Sequence, residues 1–193
     1  MSADIPSDDR AGILLVDDME DNLLALEAVL APLDEPLFRA RSGEEALQAL
    51  RLHPCAVVLL DVTMPGMDGF DTATRIRRLD RAKEVPIVFL TGADSGAGYA
   101  FRGYTTGAAD YLTKPFDPWV LRAKVTVFLE LHRRGRELGR LLARERAEFD
   151  ELTTRLAAVE RQLASHHLES AGTLGAQLQY MTELLERIRR ERT

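Results

Sequence analysis

Cysteine is nearly missing: Cys55 is the only one in 193 residues. No disulfide can form within the chain, so the fold rests on packing. The neighbours of Cys55, namely Ala56, Val57 and Val58, are apolar, which marks it as a small core residue rather than a reactive one. Aromatic residues make up 6%, thin for a single core of this length. At ~100–200 residues per domain the chain is one domain, or one domain with an appendage. No apolar run approaches the ~20 residues of a membrane span. The opening segment MSADIPSDDR is acidic and lacks the basic-then-apolar order of a secretion signal, so a cytoplasmic protein is expected. A basic excess is missing too. The net charge of −6 argues against a nucleic-acid binder that relies on general basicity.

Proline is confined to the front of the chain. Seven of the eight lie between Pro32 and Pro118, and none occurs in the 75 residues that follow. Charge divides the same way. Residues 1–132 hold 13 Lys and Arg against 21 Asp and Glu, a balance of −8, and residues 133–193 hold 12 against 10, a balance of +2. The first part is punctuated like a compact domain, and the second reads like uninterrupted helix.

The first part alternates between short apolar runs and helical spacing. Ile13 to Val16 is a strand ending in Asp17 and Asp18. A helix follows over residues 21–31, with Leu23, Leu26, Val29 and Leu30 on one face. Leu37 to Ala40 is a weak strand. Ser42 and Glu45 form a capping box for a helix carrying Ala46, Leu47 and Leu50. Ala56 to Leu60 is a strongly apolar strand ending at Asp61. A helix over 68–78 carries Phe70, Ala73, Ile76 and Leu79. Pro86 to Leu90 ends at Thr91. A helix is expected over 95–106, capped by Gly107. Ala109 to Leu112 is the last strand, Lys114 and Pro115 follow it, and Asp117 caps the next helix. Nearly all-apolar strands alternating with amphipathic helices imply a parallel sheet covered on both faces. The expected fold is a doubly wound α/β domain over residues 10–132, with five strands in the flavodoxin-like order.

In such a sheet ligands bind beyond the carboxyl ends of the strands. Those ends carry Asp17 and Asp18, Asp61, Thr91 and Lys114. Carboxylates brought together repel one another unless a cation sits among them, and an all-oxygen set favours Mg2+ over zinc. A lysine ammonium beside them is a point charge for phosphate, and a threonine hydroxyl can donate one more bond. These parts suit in-line transfer of a phosphoryl group to a carboxylate oxygen.

The segments ILLVDD (13–18), LLDVTMPGMDGF (59–70), PIVFLTG (86–92) and DYLTKPF (110–116) resemble the receiver domain of two-component response regulators. The resemblance covers about 120 residues, from near Ala11 to near Leu131, and no hallmark position departs from it. It implies that Asp61 is the phosphoacceptor, with a histidine kinase or phosphotransfer protein as donor. It implies a Mg2+ site in which Asp18 ligates directly, Asp17 through water, Asp61 by its carboxylate and Thr63 by its backbone carbonyl. Lys114 would pair with the phosphoryl group. Thr91 would bond a phosphoryl oxygen, and Tyr111 would be the aromatic whose rotamer couples to Thr91. Pro65 and Gly69 would shape the loop after the acceptor, and Pro115 would follow a cis peptide bond. The implied protein is a phosphoacceptor in signalling, not an enzyme with a substrate of its own.

Beyond residue 132 the apolar spacing changes. Phe149, Leu152, Leu156, Val159 and Leu163 step by 3 and 4, as do Leu174, Leu178, Met181, Leu185 and Ile188. These are two blocks of a heptad seam joined by a stutter. Leu131, Leu138 and Leu142 continue it upstream less cleanly, with Gly135 and Gly139 weakening the helix. One helix cannot bury such a stripe alone. The expectation is a homodimer through a parallel coiled coil over residues 133–193, acting as the output element by protein–protein contact. A hairpin folded back near Gly172 and Gly175 is the alternative. His166 and His167 faintly resemble the phosphoacceptor helix of histidine kinases, but the acidic residue and the proline of that pattern are absent. Three other readings stay open: the front part of a longer signalling enzyme, a phosphate sink or shuttle, and, against the charge balance, a DNA-binding regulator.

Overall fold

The computed structural model describes residues 10–92, 108–165 and 172–191. The helix expected over 95–106, its Gly107 cap and the pair His166 and His167 lie outside the described residues. The chain divides into two compact units, residues 1–133 and 134–193.

The first unit is built on five parallel strands: β1 (Gly12–Val16), β2 (Leu37–Ala40), β3 (Cys55–Asp61), β4 (Ile87–Thr91) and β5 (Asp110–Thr113). Their order is β2-β1-β3-β4-β5, the flavodoxin-like order expected of the sequence. The register sets Val16 beside Leu60, and Asp61 beside Leu90. The carboxyl ends of β1, β3 and β4 are thereby level.

Period-two alternation sends the side chains of each strand to two separate cores. Leu14, Val16, Val58, Leu60, Ile87 and Phe89 pack on one face. That face is covered by α2 (Gly43–Leu52) and α3 (Gly69–Ile76) through Ala46, Leu50, Phe70, Ala73 and Ile76. Ile13, Leu15, Val57, Leu59, Val88 and Leu90 pack on the other. There α1 (Glu20–Leu30) and the start of α4 (Pro118–Ser165) supply Leu23, Leu26, Leu30, Leu121, Val125 and Leu129. Burial on both faces is why these strands read as almost continuous apolar runs. Cys55 is free and buried, and burial pushes its thiol up to about 12.

Local signals account for several of the element ends. Ser42 Oγ accepts from Glu45 N at 3.2 Å. The return bond of this capping box is displaced by one residue, since Glu45 Oε2 accepts from Arg41 N at 2.7 Å. Asp117 Oδ1 accepts from Trp119 N at 2.7 Å and opens α4. The third helix is shorter than the spacing over 68–78 predicts. Its end tightens into i→i+3 bonds (Arg78 N to Arg75 O, Leu79 N to Ile76 O). Arg77 Nη1 donates to the carbonyls of Lys83 and Val85 at 2.8 and 2.7 Å, drawing the chain into a turn. Leu79 still packs against the core, from outside the helix.

The second unit contains the rest of α4 and α5 (Gly172–Glu191). Gly135 and Gly139 do not interrupt α4. The long helix fits a coiled coil. The sequence reads as one helix to its end, whereas the structure has two. Thr182 Oγ1 donates to Glu160 Oε1 at 3.0 Å, so α5 returns along α4 as a hairpin, the arrangement held as the alternative to an extended rod. No helix among the described residues is long and apolar enough to cross a membrane.

Candidate functional site

The site lies at the carboxyl ends of β1, β3, β4 and β5. Asp17 is the first residue after β1, and it is buried, with 1% of its surface exposed. A carboxylate so placed needs donors. Asn22, one turn into α1, supplies them: its Nδ2 lies 2.9 Å from Asp17 Oδ1 and 3.0 Å from Oδ2. Met19 N donates to the same Oδ1 at 3.0 Å. Asp61 closes β3 and is also buried; its Oδ2 accepts from Thr63 N at 2.8 Å.

Lys114 joins the two. Its Nζ lies 2.7 Å from Asp17 Oδ2 and 2.6 Å from Asp61 Oδ1. These contacts span 97 and 53 residues of sequence. Burial raises the Asp61 pKa above the usual carboxylate value, and the Lys114 ammonium offsets this only in part. Burial alone would lower the pKa of Lys114, but bonds to Asp17 and Asp61 outweigh it, so the ammonium holds its proton more tightly than usual.

The remaining expected residues lie on the strands and loops that carry this core. Asp18, next in the chain after Asp17, is half-buried. Thr91 ends β4, is buried, and its carbonyl accepts from Lys114 N at 2.6 Å. Tyr111 pairs in register with Phe89 and is 42% exposed. The Lys114–Pro115 peptide is cis. In the loop after Asp61, Thr63, Pro65 and Gly66 are exposed, while Val62, Met64 and Met67 are buried and pin it to the core. Gly66 sits at φ 75°, a conformation glycine adopts without strain. Gly69 has no room for a side chain: a Cβ there would lie 2.3 Å from the Asp61 carbonyl oxygen and 2.8 Å from Val62 Cα.

Among the described residues no three His, Cys, Asp or Glu side chains form a ready metal cage. Instead two carboxylates share one ammonium, and Asp18 follows Asp17 directly in the chain. The donor set is entirely oxygen and carries net negative charge, which fits a hard divalent cation such as Mg2+. Two residues escaped the sequence reading. Asn22 is visible there only as a polar residue five after Asp17. Gly43 packs so closely that a Cβ would fall 2.3 Å from Thr72 Oγ1, which no local pattern reveals. A recess of about 500 Å³, lined in part by Pro54, Pro86, Phe128 and His132, shares no residue with this site.

Comparison with known proteins gives a consistent picture. Residues 13–126 match the response regulator receiver domain family. The response regulator PleD of Caulobacter vibrioides is 36% identical over 160 residues, which are 78% of this chain and 35% of PleD. A probable cyclic di-GMP phosphodiesterase of Vibrio cholerae is 35% identical over 118 residues, 61% of this chain and 26% of that protein. The chain thus spans about a third or less of the length of these relatives. Among solved structures, the chemotaxis protein CheY4 of Vibrio cholerae superposes with a TM-score of 0.58 at 28% identity, covering 62% of this chain and 98% of that one. A putative response regulator of Chloroflexus aurantiacus gives 0.57 at 35% identity, covering 63% and 99%.

Proposed function

Because this chain belongs to the response regulator receiver domain family, we propose that Asp61 accepts a phosphoryl group from a histidine kinase or phosphotransfer protein. One observation carries the reading: the Asp61 carboxylate is buried at a strand end and held by the Lys114 ammonium at 2.6 Å. In the transfer, Asp61 Oδ attacks phosphorus, the bond from phosphorus to the donor imidazole nitrogen breaks, and the freed imidazole takes up a proton. Lys114 needs little movement to meet the incoming phosphoryl oxygens, and its charge offsets theirs. Asn22 holds Asp17 in place through both carboxylate oxygens, which keeps the negative side of the site ordered while Lys114 changes partner. The Thr91 hydroxyl moves to bond a phosphoryl oxygen, and Tyr111 couples that movement to the exposed face of β5 and α4.

Asp17, Asp18, Asp61 and the Thr63 carbonyl are the groups that would hold Mg2+. When bound, the ion neutralises charge on the phosphoryl oxygens and on the crowded carboxylates.

The test is labelling of the full chain with a small phosphodonor such as acetyl phosphate in Mg2+. Wild type takes up label, Asp61→Asn takes up none, and the exposed Asp80→Asn labels normally. Label on Asp61→Asn overturns the assignment.

The helical segment is read as the dimerisation and output element, working in the cytoplasm through protein–protein contact. A second reading is favoured by the relatives, which extend well beyond the matched region. In it, the receiver and helices control an enzymatic domain further along a longer protein. Sequencing the gene past the codon for Thr193 separates the two.

A further inference from the structure

The two helices of the second unit share one unpartnered face. On α4 the half-buried residues Thr153, Leu156, Ala157 and Glu160 mark the side turned to α5, as the Glu160–Thr182 bond requires. On α5 the corresponding residues are Gly175, Leu178 and Thr182. Large apolar side chains nevertheless stay exposed: Leu152 at 56%, Val159 at 42% and Met181 at 49%, with Tyr180 and Leu184 also exposed on the outer side of α5. At about 100° per residue, Leu152 and Val159 lie roughly a quarter to a third of a turn to one side of the α5-facing line. Met181 lies about a quarter of a turn to the same rotational side of its own line. The helices are antiparallel, so equal rotations put both sets on the same face of the hairpin. Among the described side chains of residues 134–191, none is buried. Packing α4 on α5 therefore leaves half a core.

We propose that this hairpin is one half of a four-helix bundle and that a second copy of the chain supplies the other half. The inference rests on the dimerisation reading above and gives it a geometry, two hairpins face to face rather than one extended two-stranded rod. A second copy fits for two reasons. The face is about 30 Å long over the twenty residues of α5 and two helices of ~10 Å wide, so two copies would bury roughly 1,200 Å², where stable specific interfaces begin. Residues 133–193 carry 12 basic and 10 acidic groups, so a like surface is not repelled. A bundle built from facing apolar stripes of antiparallel helices is the regular solution to this patterning.

Light scattering on the full chain tests the mass, and spin labels test the geometry. Wild type at tens of micromolar should give about twice 21.5 kDa. L152E combined with M181E should give the single-chain mass, with unchanged helical circular dichroism and unchanged labelling of Asp61. L152Q with M181Q serves if the charged pair misfolds. R161C with E183C, spin-labelled and diluted into unlabelled chain, should show a separation below ~20 Å; an extended helix would hold residues 22 apart at ~33 Å. The buried Cys55 thiol stays unreactive. A monomeric wild type, a dimer indifferent to the apolar-face substitutions, or the long distance each overturns the bundle. Loss of Asp61 labelling in wild type with the mass pattern intact would overturn the phosphoacceptor reading and leave the bundle standing.

Discussion

Lys114 Nζ stands 2.6 Å from Asp61 Oδ1, yet the Asp61 carboxyl is still raised above its ordinary value, because burial outweighs what the ammonium returns. The acceptor is therefore held at a cost to the fold. A carboxyl whose pKa rises on folding binds its proton more tightly folded than unfolded. Stability then falls as pH climbs from the ordinary 3.8 through the raised value. Asp61→Asn removes that penalty without changing shape. Its melting temperature at pH 7 should exceed that of wild type, and the gap should close as the pH is brought down toward 4. A variant melting below wild type at pH 7 contradicts this.

Removing the cation should do the opposite. Lys114→Met leaves Asp17 and Asp61 facing each other with no charge between them. Breaking a fully buried pair costs about 3–5 kcal/mol; Lys114 keeps 27% side-chain exposure, so a loss of about 2–3 kcal/mol is expected. Urea titration measures it. Since the Lys114 pKa is raised on folding, its contribution in wild type is complete below 10.5 and is lost only as pH rises beyond that through the raised folded value.

Gly69→Ala should separate space from backbone freedom. The added methyl meets the Asp61 carbonyl oxygen and Val62 Cα, both main-chain atoms that cannot swing away. A loss of about 1–3 kcal/mol and weakened Asp61 labelling are expected. Gly92→Ala, where nothing lies within 4 Å, should change stability by no more than about 0.5 kcal/mol.

Metal linkage gives an independent check on the acidic residues. With Mg2+ at 100 times its dissociation constant, a native-state site adds about 2.7 kcal/mol. Wild type stripped with EDTA should melt lower and recover when Mg2+ is restored. In Asp18→Asn most of that recovery should be gone, while the Mg2+-free melting temperature barely moves. An undiminished recovery in Asp18→Asn would remove Asp18 from the metal set.

How much of this could be read beforehand depended on where the signal lay. The inner strands β1, β3 and β4 were legible because burial on both faces leaves them almost wholly apolar, as in Cys55–Leu60. Asp17, Asp61, Thr91 and Lys114 were legible because each is where such a run turns polar. Asn22 was not, since its importance comes from reaching back to Asp17 across a helix turn that sequence shows only as polar. The early end of α3 was hidden for a similar reason: Arg77 is turned by carbonyls at Lys83 and Val85, outside the helical period. The hairpin was the hardest. The same 3-4 spacing serves a rod or a fold-back, and only the Glu160–Thr182 bond distinguishes them.

Parallel strands bring one more consequence. The groups that meet at Asp61 leave the ribosome far apart in time, with Asp17 early and Lys114 almost a hundred residues later. Until β5 has emerged and joined the sheet edge, a nascent chain would carry Asp61 beside Asp17 with no lysine between them. Chemical reactivity at that aspartate is then a clock for the closing of the sheet. A phosphodonor added to stalled nascent chains of increasing length should find no acceptor until the segment holding Lys114 has cleared the exit tunnel.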